Sequence, residues 1–496
     1  MRRHAVLVFI VLSLPLRAEA QSSWNEPLVA SVYAKSFAFM QPRTLQAIPM
    51  SDLALWGLRG LTALDPSVAP AISGGKIALY DRGQPVLSVA MPKPGDAAGW
   101  GSLASLFCAR AASLSPGIAE AGPGGVVTNF FDELFNHLDP YSRYVAPLSQ
   151  ETDMPPADLG FSIVVRGRRA VVADIVPGGP ASGARLGIGD RILAIDGVPT
   201  RGKDSYTLNG ALVGQAGSIV TLRVASAHGR PRNLPLQRAA EIPETVFASA
   251  EGRMLMLRIS GFEPGTADAF QSLLTEGLTA RPAPAGIILD LRGNRGGLLE
   301  QAVRIATDLI PQGIIARARG RDPEADQQWQ GNGQDMAHGL PIAVLVDGRT
   351  ASAAEVLSAA LADDGRAVVI GSATFGKGLV QAATALPDGG HLLVTWALLL
   401  APLGWPLQGL GLLPQICTSG GADAVENQLQ ALSGGEQPMA GALAAERQAR
   451  PGISIDQILR LREACPAALG SGLDNQAAQF LLTSPPAYQA ALITRP

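Results

Sequence analysis

Four short, continuously apolar runs alternate with helix-like stretches in the second half of the chain. The runs are MLMLRIS (254–260), GIILDLRG (286–293), PIAVLVDG (341–348) and AVVIGS (367–372). Runs without polar alternation are typical of strands in a parallel sheet whose two faces are both covered by helices. The sequence therefore predicts an α/β core over residues 241–416, at whose strand ends we expect the chemistry to lie.

Three regions flank this core. Residues 21–150 have helical periodicity and one hairpin pattern, KIALYDRGQPVLSVAMP. Residues 151–240 consist of short β-like runs separated by turn signals, and residues 417–496 predict a helical segment. With 496 residues the chain is long enough for several domains, so we predict a multidomain α/β fold with helical N- and C-terminal segments.

The first twenty residues have the pattern of an export signal. Arg2 and Arg3 precede the apolar run AVLVFIVLSLPL, and Ala18-Glu19-Ala20 places small residues at a cleavage site. The run is short for a membrane span, although an uncleaved N-terminal anchor is the alternative. We expect a signal peptide over residues 1–20, an exported chain in the bacterial periplasm, and no stable membrane span after cleavage.

Composition limits the partners and cofactors. The 39 basic and 42 acidic residues leave a formal net charge of −3, which does not favour nucleic-acid binding, and the histidines have no metal-ligand spacing, so we expect neither metal nor cofactor. In an oxidising compartment Cys417 and Cys465 are expected to form a disulfide. Cys108, within the apolar stretch SLASLFCARAASL, is then the buried, free cysteine.

The stretch GSATFGKG (371–378) has the spacing of a phosphate-binding loop. Gly378 follows Lys377, however, where such a loop needs a Ser or Thr hydroxyl for magnesium, and an exported chain meets little ATP. Nucleotide binding is therefore the weaker of two hypotheses for this lysine. The apolar neighbours Phe375, Leu379 and Val380 favour the other, in which a neutral Lys377 acts as a general base.

A serine at the start of a predicted helix is the candidate nucleophile. Ser352 and Glu355 fit the capping pattern S-x-x-E, and one interpretation is that Ser352 only caps the helix. The backbone N–H groups of a helix N-terminus can also stabilise an oxyanion, which suits a nucleophile. Lys377 would then take its proton, and Gln381 would orient the lysine amine. His391 is expected at a hairpin tip and not in the site.

The run LGFSIVV (159–165), followed by IVPGGPASGARLGIGDRILAIDGVP (175–199), resembles a PDZ domain. In that domain the loop would turn N–H groups toward the terminal carboxylate of a peptide that adds as a strand. Asp158 replaces the first glycine of the usual Gly-Leu-Gly-Phe loop, which would weaken carboxylate capture. An alternative is that the apolar positions are simply core. The expected peptide-binding residues are Leu159, Gly160, Phe161, Ile163, Leu208 and Leu212.

The segment TASAAEVLSAALADDGRAVVIGSATFGKGLVQ (350–381), with IILDLRGNRGG and LDPYSRY upstream, is similar to the carboxyl-terminal processing (tail-specific) peptidases. The resemblance covers roughly residues 125–416 and implies a core fold shared with crotonase-like and Clp-protease subunits. The site residues that it implies are the nucleophile Ser352, the general base Lys377, its orienting residue Gln381, and the oxyanion-hole N–H groups of Ala353 and of Gly296 or Gly297.

Three positions depart from the family pattern. The usual Asn-Pro-Gly-Gly has Arg295 in place of proline, the usual Gly-Glu is Gly371-Ser372, and the usual Pro-Asp is Pro414-Gln415. Of these, Arg295 bears on the oxyanion hole, because it alters the loop that presents the glycine N–H groups.

Together these patterns predict an exported serine endopeptidase that recognises substrate C-termini through the PDZ-like domain and cleaves through an acyl-enzyme. The expected partners are protein or peptide substrates with free C-termini and, optionally, an adaptor protein; the sequence does not specify an oligomeric state. The main competing hypothesis is a catalytically silent PDZ-type peptide-binding scaffold.

Overall fold

The computed structural model describes residues 24–147, 157–167, 169–175, 179–181, 184, 186–226, 229–239 and 244–492. The predicted signal peptide, residues 1–20, lies outside the described residues. The described chain forms two compact units: residues 24–41, 48–147 and 383–393 make the first, and the remaining described residues make the second.

The first unit is mainly helical. Its helices are α1 (Glu26–Arg43), α2 (Met50–Leu64), α3 (Ala97–Leu114) and α4 (Pro116–Asn136), and its strands are β1 (Val68–Ser73), β2 (Lys76–Asp81), β3 (Gln84–Ala90) and β4 (Arg143–Val145). The hairpin pattern corresponds to β2 and β3, whose turn residues Arg82 and Gly83 have φ of 48° and 77°, and β1 adds a third antiparallel strand. The buried rings of Tyr33, Phe130 and Phe131 pack against one another in its core, in tilted and edge-to-face arrangements.

The free cysteine lies in this first unit. Cys108 is buried in α3, with its Sγ 3.6 Å from the Tyr33 hydroxyl. Burial raises the pKa of the Cys108 thiol to about 12. A thiol that stays protonated and buried is a poor nucleophile, so Cys108 is a structural residue.

The β-rich part of the second unit is a six-stranded sheet in the order β10-β9-β7-β6-β5, with β8 paired to β7. Its elements are β5 (Phe161–Arg166), β6 (Arg169–Ile175), β7 (Arg191–Ile195), β8 (Val198–Pro199), α5 (Ser205–Gly210), β9 (Ile219–Ala225) and β10 (Arg232–Gln237). Strand β5 is therefore at an edge of this sheet.

The large sheet of the α/β core also has six strands: β11 (Val246–Glu251), β12 (Met254–Ile259), β13 (Gly286–Asp290), β16 (Ile342–Val346), β17 (Ala367–Gly371) and β20 (Ile416–Cys417). Their order in the sheet is β11-β12-β13-β16-β17-β20. Each neighbouring pair from β12 through β13, β16 and β17 to β20 is parallel. Strand β11, at one edge of the sheet, is antiparallel to β12. The four apolar runs of the sequence are the central strands β12, β13, β16 and β17.

Helices cover both faces of this sheet. On one face, residues such as Leu289 and Val344 pack with α6 (Thr266–Leu278), α7 (Leu299–Leu309) and α8 (Ala353–Asp363). On the other face, Ile288 and Leu345 pack with helices that follow the core. Because neighbouring residues of a strand point to opposite faces, both faces need apolar residues, and the runs are continuous for this reason. The predicted multidomain α/β fold is confirmed.

A smaller antiparallel sheet adjoins the core in the order β15-β14-β19-β18. Its elements are β14 (Ile314–Gly320), a 3-10 turn at Pro323–Ala325, β15 (Gln327–Gln330), β18 (Leu379–Ala385) and β19 (His391–Leu400). The sequence assigns residues 383–393 to the α/β core, but they group with the first unit, where β4 pairs with His391, Leu392 and Leu393.

The C-terminal region is helical, as the sequence predicts. It contains α9 (Ala422–Ser433), α10 (Ala440–Gln448), α11 (Ile455–Arg462), α12 (Gly472–Thr483) and α13 (Pro485–Ala491). A disulfide joins Cys417 at the end of β20 to Cys465 between α11 and α12. No helix within the described residues is both long and apolar enough to cross a bilayer.

Candidate active site

Three neighbouring strands of the large sheet deliver the candidate catalytic residues. The loop after β13 contains Gly296 and Gly297, the loop after β16 leads to Ser352, and the loop after β17 leads to Lys377. Because β13, β16 and β17 are parallel neighbours, all three loops leave the same edge of the sheet.

Ser352 precedes α8 in a conformation that a capping serine does not need. Its φ is 56° and its ψ is −120°, a region that non-glycine residues rarely occupy, whereas N-cap residues are usually extended. The side chain is partly exposed. The predicted capping pair with Glu355 is formed, since the Glu355 carboxylate accepts the Ser352 N–H. Strained conformations of this kind concentrate at functional sites, so Ser352 remains a candidate for a role beyond that of a cap.

Glu355, in the first turn of α8, holds the backbones of both candidate catalytic residues. Its Oε2 accepts hydrogen bonds from the N–H groups of Ser352 and Lys377, each at 2.8 Å. Its Oε1 accepts the Gly376 N–H at 2.7 Å and the Thr374 hydroxyl. One carboxylate oxygen therefore brings the two loops together, with both nitrogens within hydrogen-bond distance of the same atom.

Burial raises the pKa of Glu355, and the four hydrogen bonds that it accepts oppose this rise. All four partners donate, which is the pattern that an ionised carboxylate satisfies. From the sequence, Glu355 is predicted only as a capping partner of Ser352. The available signal was a carboxylate within the mainly apolar first two turns of the predicted helix, since such a residue is buried only when it has partners.

Lys377 is half-buried just before β18. Gln381, in β18, donates from its Nε2 to the Oγ1 of Thr395 at 3.2 Å, so the Gln381 amide is oriented by a buried residue of β19 that had no sequence signal. His391 is exposed at the start of β19 and belongs to the first unit. In the described part of the chain, no group of three or more acidic, His or Cys side chains could hold a metal ion.

The glycine loop lies directly against the serine. A Cβ on Gly296, whose φ is 97°, would be 2.8 Å from the Ser352 Cβ and 3.0 Å from the Ala353 nitrogen. Ala353 is the first residue of α8, so its N–H has no acceptor within the helix. The Gly296 N–H donates to Asn294 Oδ1 at 2.8 Å, and Gly297 is therefore the better glycine candidate for the oxyanion hole.

The predicted peptide-binding residues lie in and around the core of the β-rich domain. Gly160 has a φ of 67° and its N–H donates to Asp158 Oδ1 at 2.8 Å. Asp158, which replaces the usual glycine, thus already accepts the hydrogen bond of an N–H group that would otherwise face a peptide carboxylate. The apolar members of the set are all buried in one cluster: Leu159, Phe161, Ile163, Leu208 and Leu212.

Side chains of α5 bind the backbone groups of β5 that face away from the rest of the sheet. Asn209 accepts the Ile163 N–H and donates to the Ile163 carbonyl, both at 2.8 Å, and the Ser205 hydroxyl accepts the Val165 N–H at 2.9 Å. An added peptide strand would use these same backbone groups. The edge is therefore closed by side chains in this structure. Asn209 and Ser205 are not among the residues predicted from the sequence.

The large sheet is parallel in its centre and covered on both faces. A strained serine stands at the start of a helix, with a lysine loop on one side and a glycine loop against the serine. This is the architecture of an α/β serine peptidase. The family comparison agrees. Residues 253–418 match the model of peptidase family S41, and residues 157–228 match a PDZ domain.

Known relatives extend this match. The chloroplastic C-terminal processing peptidase of Tetradesmus obliquus is 32% identical over 307 residues, which are 56% of this chain and 64% of that protein. The carboxy-terminal-processing protease of Bartonella bacilliformis is 31% identical over 302 residues, 59% of this chain and 69% of that protein. The chain belongs to the carboxyl-terminal processing peptidases of family S41. Among solved structures, the photosystem II D1 C-terminal processing protease is 26% identical, with coverage of 73% of this chain and 92% of that one and a TM-score of 0.48.

Proposed function

We propose that this chain is an exported serine endopeptidase that binds the C-terminal end of its substrate through the PDZ domain and cleaves with a Ser352–Lys377 dyad. The observation that carries the proposal is the shared Glu355 oxygen, which accepts the N–H groups of both residues at 2.8 Å. These two hydrogen bonds fix the backbone of a serine at a helix start and the backbone of a lysine next to it, and a nucleophile–base pair needs its two residues fixed near each other.

In the proposed acylation step, the neutral Lys377 amine takes the proton of the Ser352 hydroxyl as Oγ bonds to the scissile carbonyl carbon. The negative charge moves to the carbonyl oxygen, which accepts hydrogen bonds from the N–H groups of Ala353 and Gly297. When the C–N bond breaks, the Lys377 ammonium returns the proton to the leaving amine. The product is an ester of Ser352 and a released peptide with a new N-terminus.

Deacylation repeats these steps with water. Lys377 takes a proton from water while the water oxygen attacks the ester carbonyl, and the Ser352 oxygen leaves and regains that proton. The proposed role of Gln381 is to orient the lysine amine, since its own amide is held by Thr395. Gln381→Ala should therefore reduce turnover without abolishing it, because no proton passes through the amide.

The proposal places the enzyme outside the cytosol, in the bacterial periplasm. Two features support this location: the export pattern at residues 1–20, and the disulfide between Cys417 and Cys465, a type of bond that is rare in the cytosol.

A fluorophosphonate probe and a quenched-fluorescent peptide with a free, apolar C-terminus test the catalytic proposal. Wild type should be labelled and should cleave, whereas Ser352→Ala and Lys377→Ala should both be inactive because nucleophile and base act as a unit. Lys377→Arg should also be inactive, since a guanidinium stays charged. The matched controls Ser433→Ala and Lys76→Arg change exposed residues of the same types and should behave as wild type.

Two outcomes would contradict the proposal. Wild-type turnover in Lys377→Arg, combined with an inactive His391→Ala, would replace the lysine by histidine as the base. Peptide binding by a wild-type protein that is neither labelled nor active would support the silent scaffold. Substrate recognition is tested separately. A bound peptide would replace the Asn209 and Ser205 side chains on the backbone of β5, and the free-acid peptide should be cleaved faster than its C-terminal amide. Equal rates would show that the PDZ domain does not select substrates by their C-terminus.

A further inference from the structure

One segment of the C-terminal region contacts all three loops of the candidate active site. This segment, residues 462–474, is called the C-terminal strap here; it runs from the last residue of α11 into the first turn of α12. It lies beyond residues 253–418, the part that matches the peptidase family model. The disulfide at Cys465 fixes it to the end of β20.

The strap binds the glycine loop and the serine loop through hydrogen bonds. Arg292, just after β13, donates to the carbonyl of Ser471 at 2.9 Å and to the carboxylate of Asp474 at 3.0 Å. The N–H of Gly348, four residues before the proposed nucleophile, donates to the carbonyl of Ala468 at 2.8 Å. Both loops are thus tied to the strap at their beginnings.

The strap makes its densest contacts with the lysine loop, residues 372–377. The Ser372 hydroxyl donates to the Ala468 carbonyl at 2.9 Å and accepts the Ala468 N–H at 3.0 Å. Ser372 is also a position where the sequence departs from the family pattern. The Arg462 guanidinium donates to the carbonyl of Thr374 at 2.8 Å and to that of Leu410 at 2.6 Å.

Thr374 connects Arg462 to the carboxylate that organises the site. The Thr374 hydroxyl donates to Glu355 and accepts the Leu412 N–H at 2.8 Å, while its carbonyl accepts from Arg462. Burial lowers the pKa of Arg462, and the negative charges of Glu355 and Glu446 oppose that shift. Arg462 therefore contributes both a fixed position for Thr374 and a positive charge in the surroundings of Glu355.

We propose that Arg462 is a positioning residue of the peptidase, which holds the lysine loop from the C-terminal strap so that Glu355 can align the proposed nucleophile and base. This inference rests on the proposed function, because it assigns Arg462 a part in the same site. Arg462 touches neither substrate nor reacting atoms in this role. Its removal should therefore change the rate of the chemical step more than substrate binding.

Kinetics of three full-length variants test the proposal with the quenched-fluorescent peptide. Arg462→Ala should lower kcat on the order of 10- to 100-fold with little change in KM, because a small misplacement of catalytic groups is sufficient for such a loss. Arg462→Lys keeps the positive charge but loses the two-nitrogen fork that donates to the two carbonyls, so its kcat should be intermediate. Arg460→Ala is the matched control, since Arg460 is exposed on the same helix, and it should equal wild type.

Chemical rescue separates positioning from folding. Millimolar guanidinium chloride should restore part of the kcat of Arg462→Ala relative to the same concentration of sodium chloride, and should not restore Lys377→Ala. Thermal unfolding followed by circular dichroism reports the folded fraction, and Arg462→Lys supplies the measurement if Arg462→Ala does not fold.

The outcomes distinguish this inference from the proposed function. Wild-type kcat in Arg462→Ala, or a loss that equals the loss of folded protein and is unaffected by guanidinium, would overturn the positioning role. An active Lys377→Ala in the same assay would instead overturn the dyad itself. If Lys377→Ala is inactive and Arg462→Ala is fully active, the proposed dyad is supported and only the positioning role of Arg462 is wrong.

Discussion

Replacing Glu355 by glutamine should destabilise the peptidase core and slow catalysis together. The carboxylate accepts four hydrogen bonds, two at each oxygen. An amide of the same shape has one oxygen and one NH2 group, and the NH2 group cannot accept. Whichever way the amide is turned, two of the four donors therefore face another donor.

The magnitude follows from which two donors are affected. The less costly orientation turns the NH2 group toward Gly376 and Thr374, because the Thr374 hydroxyl can reorient whereas the Gly376 N–H cannot. One buried backbone N–H is then unsatisfied, at a cost of about 1–3 kcal/mol in unfolding free energy. The opposite orientation leaves the N–H groups of Ser352 and Lys377 unsatisfied, at about 2–6 kcal/mol. Since domains are typically stable by about 5–15 kcal/mol, the variant should fold but with reduced stability.

Urea denaturation, followed by tryptophan fluorescence, measures the first effect, and the rate of fluorophosphonate labelling measures the second. Glu426→Gln, an exposed substitution on α9, is the matched control and should change neither. If Glu355 is protonated at the assay pH, glutamine mimics it and both readouts stay at wild-type values. That result would refute the assignment of Glu355 as an ionised acceptor that aligns the two catalytic loops.

Four further outcomes are expected. Asn209→Ala should free the β5 edge and tighten binding of a free-acid peptide by about 3- to 10-fold in fluorescence anisotropy; unchanged affinity would mean that the edge is open in solution. Replacing Cys417 and Cys465 together by serine should lower the unfolding free energy by about 2–4 kcal/mol, because their disulfide closes a loop with a sequence separation of 48, and an unchanged urea midpoint would contradict this. Cys108 should react with a thiol reagent only on unfolding, since it is buried with a pKa raised to about 12; rapid modification of the native protein would show otherwise. Burial raises the pKa of Glu446 from 4.5 to about 7, because the buried site favours the protonated side chain. The resulting contribution to the unfolding free energy is complete below pH 4.5 and is lost as the pH rises through 7. Glu446→Gln should flatten this part of the stability profile, and an unaltered profile would contradict it.

The four central strands of the core and the candidate nucleophile and base could be predicted from the sequence. Continuous apolar runs reveal strands that are buried on both faces, and the rule that ligands gather at the carboxyl ends of parallel strands then singles out the loops with Ser352 and Lys377. These inferences use patterns within about ten residues, the range over which periodicity reports on local structure.

Only the tertiary structure revealed the residues that hold the site in place. Arg462 and Thr374 are 88 positions apart in the sequence, and Asn209 and Ile163 are 46 apart. No periodicity links such pairs, because each contact depends on where an entire helix or strand comes to lie. An arginine at the end of an amphipathic helix and an asparagine in a short one look like ordinary surface residues in the sequence. Their side chains acquire a role only when folding brings a backbone carbonyl or a free strand edge within hydrogen-bond distance.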